Sequence, residues 1–383
     1  SMTSAARQSV SRTGPFRRTV TAGFLEIRAP VVGPDNALPL VRRLEVSLAA
    51  RTERYSDVGE TTNPKVGVVW APGSALTLRA TYGRSFRAPS LKQVFDPQDG
   101  GATFLPQAGV NKLVLLRFGG NPNLTPETAE SWTAGADFVS RRWPGLRLSA
   151  TWFDTQFRNQ IGTPVYDNIF NVLGNPAYGA FVQTIDPNNP ADLAKVDALL
   201  AGTTSVGLYP TNAFTAIVDG RNLNTGGLQV RGVDLSARHR LAVGGGGLDL
   251  SADVTKLTDY RRMITPGAAW LSFLDLDGQP IDLRARVSAT WSRGAWSSGA
   301  SLNYTDDYRS AAGARIDRWT TLDAQITWRG ERGFAEGLAA TLSVRNLFDK
   351  DPPFFDNLQG VAYDPANADP LGRFAALQLT KRW

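Results

Sequence analysis

The amino-acid sequence predicts an all-β fold, an antiparallel transmembrane β-barrel. First, apolar and polar residues alternate strictly in about a dozen segments, for example residues 146–152, 248–255 and 283–291. Period two places every second side chain on one face of a strand. Second, most of these segments run for about ten residues or more, which suits a tilted bilayer crossing. Third, short turns and long loops alternate along the chain, as they do in outer-membrane barrels.

About thirteen strands are predicted. Their approximate bounds are residues 18–32, 42–56, 63–71, 75–87, 129–140, 146–161, 228–243, 247–259, 282–293, 295–307, 319–329, 337–348 and 373–383. The short turns are marked by Gly and Pro, as at Pro72-Gly73 and Pro144-Gly145, residues that favour tight turns. The long loops, predicted to be external, lie at about 88–128, 162–227, 260–281, 308–318 and 349–372.

One helix is predicted inside the second long loop, over residues 191–201. Leu193, Val196 and Leu200 have helical spacing, and Pro187 and Gly202 bracket the segment. The helix is interpreted as packing within the loop.

Aromatic residues fall near the ends of the apolar stripes. They are Tyr82, Trp152, Trp291, Trp296 and Trp328. Amphipathic rings favour the membrane–water interface, so the set predicts aromatic girdles. Each residue taken alone is equally consistent with an ordinary core position.

Composition excludes several functional classes. The 383 residues contain no Cys and a single histidine, His239, which rules out disulfides, thiol chemistry and His-rich metal sites. No apolar run is long enough for a transmembrane helix. The net charge of +6 is spread along the chain, without a basic block, so no nucleic-acid partner is predicted. No nucleophile–base arrangement is visible, so neither an enzyme nor a cofactor or metal site is expected.

Several strings resemble the C-terminal barrel region of TonB-dependent outer-membrane receptors. They lie at residues 63–67 (NPKVG), 70–72 (WAP), 78–90 (LRATYGRSFRAPS), 120–127 (GNPNLTPE), 230–235 (VRGVDL) and 344–350 (VRNLFDK). Each string alone is weakly specific. Their order and spacing cover nearly the whole chain, and the combination makes the resemblance strong.

The final strand resembles the signal read by the barrel-assembly machinery. Ala375, Leu377, Leu379 and Trp383 lie at alternate positions and end on an aromatic residue. The resemblance therefore implies that this machinery is a partner of the chain.

The resemblance also implies parts that this sequence does not display. Members of the family begin with a signal peptide, a motif for the energy-coupling protein and a plug domain, and none is recognisable here. If Trp383 ends at the periplasmic rim, the first strand starts outside the cell, so an odd number of strands is missing. A missing nine would restore about 22 strands. Residues 18–383 are therefore interpreted as the C-terminal part of a truncated barrel without its plug, and residues 1–17 as a disordered, cloning-derived segment.

The polar side chains of the strands are predicted to face the barrel lumen. The set comprises Arg79, Arg147, Arg284, Arg286, Asp249, Asp253, Asp323 and Gln325. One interpretation is that they solvate a water-filled interior or contact the plug. The other is that the arginines attract an anionic ligand, since a guanidinium group recognises carboxylates through two parallel hydrogen bonds.

Aromatic residues of the long loops are the candidate ligand contacts. They are Phe104, Phe118, Tyr166, Phe170, Tyr178 and Phe181. Recognition usually resides on loops carried by a rigid scaffold, and these rings could stack on a chelated ligand. The alternative is that they pack the loops against one another.

By resemblance, the chain is a fragment of a receptor in the Gram-negative outer membrane that imports a scarce large nutrient. The implied ligands are a ferric siderophore, haem, cobalamin or an oligosaccharide. The implied partners are outer-membrane lipid and a TonB-type energy-coupling protein, which would act through the missing N-terminal region. Two other hypotheses stay open, a passive porin-like channel and a soluble all-β binding protein.

Overall fold

The computed structural model describes residues 16–203, 205–356 and 360–382. Trp383 and nearly all of the predicted N-terminal segment lie outside the described residues. The strands are β1 Val20–Val32, β2 Arg43–Tyr55, β3 Gly59–Ala71, β4 Leu76–Arg87, β5 Asp99–Gln107, β6 Val110–Phe118, β7 Glu127–Val139, β8 Leu146–Arg158, β9 Ile161–Gly162, β10 Val182–Thr184, β11 Ala216–Asp219, β12 Leu223–Asn224, β13 Gly227–Val243, β14 Gly246–Met263, β15 Leu271–Ser272, β16 Leu283–Arg293, β17 Trp296–Thr305, β18 Tyr308–Arg309, β19 Arg315–Ile316, β20 Trp319–Arg329, β21 Leu338–Arg345 and β22 Phe374–Lys381.

The helices are short and lie in the connections. The α-helices are α1 Leu91–Phe95, α2 Pro164–Asp167 and α3 Pro190–Leu200, and the 3₁₀ turns are Pro34–Asn36, Ile169–Asn171, Pro176–Phe181, Thr211–Ala213 and Gly333–Ala335. None of the described helices is long and apolar enough to cross a membrane. The helix predicted at 191–201 is present as α3.

One large antiparallel sheet contains all thirteen predicted strands. Its order is β1-β2-β3-β4-β7-β8-β13-β14-β16-β17-β20-β21-β22, with the two-residue β15 added beside β14. Each long strand therefore pairs with its neighbours along the chain, and the β-strand prediction is confirmed. Within the described residues, β1 and β22 form the two edges of the sheet.

The register divides the sheet into two faces. On one of them, Val287 lies opposite Leu302, which in turn lies opposite Leu322. This apolar face is open to the surroundings, with Val287 51% and Leu302 44% exposed. A lipid-facing surface consists of apolar side chains that no other part of the protein covers, and this face meets that requirement.

Aromatic residues mark both ends of the apolar face. Trp296 lies directly opposite Trp328 where the short turns connect the strands, an end here called the short-turn rim. At the other end, the long-loop rim, Tyr82 packs against Trp132 with ring centroids 4.4 Å apart and ring planes tilted by 39°. The two groups agree with girdles at two membrane–water interfaces.

The connections β4–β7 and β8–β13 fold into a body of their own, here called the cap (residues 88–126 and 159–226). Its sheet has the order β10-β11-β6-β5, with β11 parallel to β6. Asn189 caps the N-terminus of helix α3, and its Oδ1 accepts a hydrogen bond from the Ala191 backbone amide at 3.0 Å. This side-chain cap satisfies an amide that the helix itself leaves unpaired.

The apolar core of the described chain lies mainly in the cap. Leu115, Val114 and Val218 are fully buried, on central strands of the cap sheet. Val114 and Val218 belong to one cluster with Val165, whereas Leu115 packs with Val196 of α3 and Phe214 on the other side. The membrane sheet has no such core because its apolar side chains face outward.

Candidate ligand-binding site

All the side chains predicted to face the lumen share one face of the large sheet. Arg286 lies opposite Asp253, and Arg79 lies in one cross-strand row with Gly135 and Thr151. Hydrogen bonds connect the side chains of this polar face. For example, Arg79 Nη1 donates to Asp137 Oδ2 at 2.6 Å. The register thus places the set opposite the apolar face, while its orientation toward a barrel lumen stays a prediction.

The structure does not bring the predicted polar residues into one cluster. Arg147, Asp249 and Gln325 lie toward the short-turn rim. Arg284 and Arg286 begin β16 and therefore lie toward the long-loop rim. A single ligand-binding site can therefore contain only some of the eight polar residues predicted to face the lumen.

A cavity of about 410 Å³, here called the rim cavity, opens on the polar face toward the long-loop rim. Its side chains are contributed by strands β16, β17, β20, β21 and β22 and by the last long loop. They include Arg286, Asn303, Trp319, Thr321, Asp323, Arg345, Asn346, Asp369, Leu371 and Phe374. Arg286 and Asp323 belong to the predicted set, and the other residues were missed.

Asp323 is held by hydrogen bonds at the base of this rim cavity. Its Oδ2 accepts from Asn303 Nδ2 at 2.9 Å, and its Oδ1 accepts from the Asn346 amide at 3.0 Å. Arg345 forms an ion pair with Asp369 at 3.1 Å. Arg345 and Asp369 neutralise each other, whereas Asp323 is held by neutral amide groups and keeps its negative charge in a wall that also contains the positive charge of Arg286.

Two donors of the rim cavity are left open. The buried Nε1 of Trp319 finds no hydrogen-bond acceptor in the described residues. The Arg286 guanidinium likewise has no ion-pair partner in the part of the chain that the structure describes. A buried donor without an acceptor is costly. The two open donors are therefore suited to ligand oxygen atoms, and the Arg286 guanidinium to a negatively charged oxygen.

A buried carboxylate ties together three of the long loops beside the rim cavity. Asp364 is 3% exposed and accepts hydrogen bonds from the Gly278 amide at 3.0 Å and from Asn367 Nδ2 at 2.7 Å. Burial, and then the nearby charge of Asp364, raise the pKa of Tyr308 well above its usual value. Asn367 also accepts a hydrogen bond from Arg284, so this loop cluster reaches the polar face directly.

The predicted loop aromatics divide into buried and accessible residues. Tyr178 and Phe181 are only 2% and 9% exposed and belong to the cap core. Their predicted stacking on a ligand is therefore wrong for this structure, because the rings already pack the cap. Phe104 and Phe170 are both 52% exposed, Tyr166 is 45% exposed, and Phe118 is half-buried. A ligand role for these four stays a prediction.

The cap also holds a partly buried charge cluster that the sequence did not reveal. Arg221 donates two hydrogen bonds to Asp219, from Nη2 at 2.7 Å and from Nε at 2.9 Å, and Arg117 lies 3.8 Å away. Burial alone raises the pKa of the Asp219 carboxyl, but the two arginines outweigh it and leave that pKa below its usual value.

Because the pKa of Asp219 is lowered in the folded cap, the free energy of unfolding of the cap depends on pH. The ion pair stabilises the cap above the ordinary aspartate pKa of 3.8, and this contribution is lost as pH falls through the lower folded-state pKa. Asp219→Asn is expected to cost about 1.5–3 kcal/mol at neutral pH and to flatten the acid limb. Urea unfolding followed across pH 2–7 measures both effects, with Asp249→Asn as a control at an exposed pair. An unchanged acid limb would contradict the assignment.

The predicted assembly signal lies on the last strand. Leu377 and Leu379 are each 67% exposed, and Ala375 shares their face. Trp383 lies outside the described residues, and the role of the four residues stays a prediction. In the described chain, no group of three or more His, Asp or Glu side chains is arranged to hold a metal ion.

Comparison with known proteins agrees with this architecture. The family model "TonB dependent receptor-like, beta-barrel" matches residues 5–347. A mutant of the ferric enterobactin receptor from Pseudomonas aeruginosa superposes with a TM-score of 0.61 at 18% identity, over 95% of this chain and 45% of that one. The siderophore receptor PirA from Acinetobacter baumannii gives 0.60 at 16% identity, over 95% and 46%.

The curated relatives are shorter matches. The heme/hemopexin utilization protein C of Haemophilus influenzae is 31% identical over 214 residues, which is 53% of this chain and 28% of that protein. The chain thus spans about half the length of the solved receptors and about a quarter of this relative. Because the family model covers most of the chain, the protein belongs to the TonB-dependent receptor family of outer-membrane β-barrels.

Proposed function

We propose that this chain forms the ligand-capturing side of a receptor that imports a ferric siderophore across the outer membrane. The observation that carries the proposal is the rim cavity, where Arg286 and the Trp319 indole offer unpaired donors beside Arg345. Ferric siderophores present anionic oxygen atoms around the metal, and arginine is well suited to such groups. Uptake would draw energy from a TonB-type coupling protein.

Several observations support an energised receptor over the other hypotheses. The chain belongs to a family of outer-membrane β-barrel receptors, which favours a membrane-inserted receptor over a soluble binding protein. A passive channel would need only a water-filled polar face. The organised cap and the loop cluster around Asp364 instead suit a receptor that first captures its ligand at the rim.

The experiment is a titration with ferric enterobactin as the probe, followed by quenching of tryptophan fluorescence. Trp319 lines the rim cavity, so bound chelate is expected to quench its emission. Arg286→Gln is expected to weaken binding at least about tenfold, the effect of losing one charge-assisted contact. The matched control Arg238→Gln removes an arginine from the same face near the short-turn rim. Equal losses in both variants would contradict the proposed site.

Haem is a second candidate because the curated relatives are named for heme and hemopexin utilization. Axial haem ligands are usually His, Met, Cys or Tyr. His239 lies opposite Leu146 and Leu250, on the apolar face near the short-turn rim, away from the rim cavity. Haemin in the same titration distinguishes the candidates: tight, Arg286-dependent binding of haemin and none of ferric enterobactin would replace the siderophore proposal.

A further inference from the structure

Arginines without partners concentrate at the short-turn rim. Arg141 and Arg142 lie in the turn between β7 and β8, Arg332 lies in the turn between β20 and β21, and all three are exposed. Arg147 and Arg238 lie directly opposite each other on β8 and β13. None of these five guanidinium groups has an ion-pair or hydrogen-bond partner within the described residues. Like charges directly opposite each other destabilise a sheet, so an anionic partner at this rim would relieve a cost.

The arginines of the long-loop rim are, in contrast, mostly paired. Arg84 forms an ion pair with Glu130 at 2.9 Å, and Arg231 forms one with Asp154 at 2.8 Å. Charge at that rim is therefore largely neutralised within the protein. The positive charge that is left open lies instead at the rim of the short turns, which in outer-membrane barrels face the periplasm.

Two of the short turns combine exposed arginine with an exposed aromatic ring. In the first, residues 140–145, Trp143 follows Arg141 and Arg142 directly and is 60% exposed. Ser140 Oγ accepts a hydrogen bond from the Trp143 amide at 3.0 Å, and the Trp143 carbonyl accepts one from the Leu146 amide at 3.1 Å. These bonds fix the backbone of the turn, so the two guanidinium groups and the indole are presented from a rigid support.

The second turn, residues 330–337, has the same combination. Phe334 follows Arg332 by two residues and is 96% exposed. Lys381 of β22 donates a hydrogen bond to the Phe334 carbonyl at 3.1 Å. Ala335 is buried and packs so closely on Gly330 that a side chain at position 330 would clash with it. This turn is therefore also held in place, with its ring and its arginine pointing away from the rest of the chain.

The spacing of the two turns indicates the size of the partner. Six strand spacings separate them in the sheet order, which is roughly 30 Å perpendicular to the strands. Arg238 and the exposed Arg293 lie between them, at the ends of β13 and β16. A single small anion contacts only one point of such a strip, whereas an extended polyanion can contact all of it.

The residue types indicate the chemistry of the partner. A guanidinium group binds a carboxylate through two parallel hydrogen bonds, and an exposed aromatic ring offers a flat apolar surface on which the C–H face of a sugar can pack. Phospholipid headgroups would reach only the outward side of this rim. Arg147 and Arg238 lie on the polar face and the turns project beyond the strands, which favours a partner from the periplasm.

We infer that the short-turn rim binds the carboxylate-bearing glycan of the cell wall, peptidoglycan. Arg141, Arg142 and Arg332 contact carboxylates of its peptide stems. Trp143 and Phe334 pack on its sugar rings. The inference concerns the rim opposite the rim cavity and is independent of which nutrient the receptor carries.

The test is co-sedimentation of the detergent-solubilised full-length protein with purified Gram-negative peptidoglycan sacculi. Arg141→Gln/Arg142→Gln is expected to weaken binding at least about tenfold, because this turn contains no acidic residue that offsets the two arginines. Trp143→Ala/Phe334→Ala is expected to weaken it at least about threefold through loss of apolar contact. All four side chains are exposed, so both variants should keep the β-sheet signal in circular dichroism.

The matched control is Arg54→Gln/Arg158→Gln, which removes two exposed arginines at the long-loop ends of β2 and β8 and changes the net charge equally. It is expected to leave binding unchanged. Equal losses in the two arginine variants, or equal binding to sacculi whose carboxylates have been amidated, would overturn the inference. Equally strong binding of phosphatidylglycerol vesicles or polyglutamate through Arg141 and Arg142 would also overturn it, because the rim would then be a site for lipid headgroups or for an acidic protein.

Discussion

Ala237→Arg is expected to destabilise the membrane-inserted sheet by about 2–4 kcal/mol, the cost of an arginine at the bilayer midplane of a barrel. Ala237 is central among the outward residues of β13, which run from Val233 to Leu241. It lies opposite Leu148 and Ala252, which are also outward. Because alanine is small, the substitution removes little packing, and the measured effect reports the charge.

The control is the adjacent substitution Ser236→Arg. Ser236 lies on the polar face, opposite Ser149 and Asp253, at nearly the same depth. An arginine there meets a carboxylate and water, so stability is expected to change by less than about 0.5 kcal/mol. Urea unfolding of the full-length protein in phospholipid vesicles, followed by tryptophan fluorescence, compares the two variants. Similar shifts for both would mean that the outward face of β13 is not in lipid.

The membrane sheet could be predicted from the sequence because its signal is local. Apolar and polar residues alternate within each strand, as in residues 248–255. The order of short turns and long loops then predicts the antiparallel pairing. What the pattern did not reveal is the register shift of β13 at Arg231/Gly232, which sets Arg231 opposite Asp259. A bulge inserts a residue without changing composition, so alternation alone does not locate it.

The cap could not be predicted in the same way. Its central strand β6 contains the continuous apolar run Leu113-Val114-Leu115-Leu116, which does not alternate because both faces of the strand are covered. Such a run fits a buried strand or a buried helix equally well. Its parallel partner β11 contributes only four residues from a distant part of the chain. Only α3, whose helical spacing is local, was recognisable.

The rim cavity was partly predictable for a related reason. Parity identified Arg286 and Asp323 as residues of the polar face, and the structure agrees. Trp319, Arg345 and Asp369 come from the ends of strands and from a long loop, and only the tertiary fold brings them together. No spacing in the sequence connects them. The sequence therefore indicates the correct face and leaves open where on that face the ligand site lies.

Phe214→Ala is expected to open the cap while leaving the membrane sheet intact. Phe214 is 1% exposed and packs with Leu115 and Val196 in the cluster beside α3. Replacing a fully buried phenylalanine by alanine costs about 3–5 kcal/mol, because transfer free energy is lost and a cavity remains. The cap is tied to the sheet through its connecting strands but has its own core. The lost free energy therefore makes local opening of the cap easier and leaves the stability of the membrane sheet unchanged.

Limited trypsin digestion of the membrane-inserted protein measures this opening, because the cap contains Lys and Arg residues that the substitutions do not change. The variant is expected to be cleaved within residues 88–126 and 159–226 faster than the wild type by about two orders of magnitude, since 3 kcal/mol is a factor of more than 100 in the open population. Far-ultraviolet circular dichroism should keep its β-sheet signal. Phe170→Ala is the control, because that ring is 52% exposed and its loss should leave the cleavage rate nearly unchanged. If Phe214→Ala instead unfolded the whole sheet, the prediction would be contradicted. The cap and the sheet would then form one cooperative unit, and the cap could not open while the sheet stays folded.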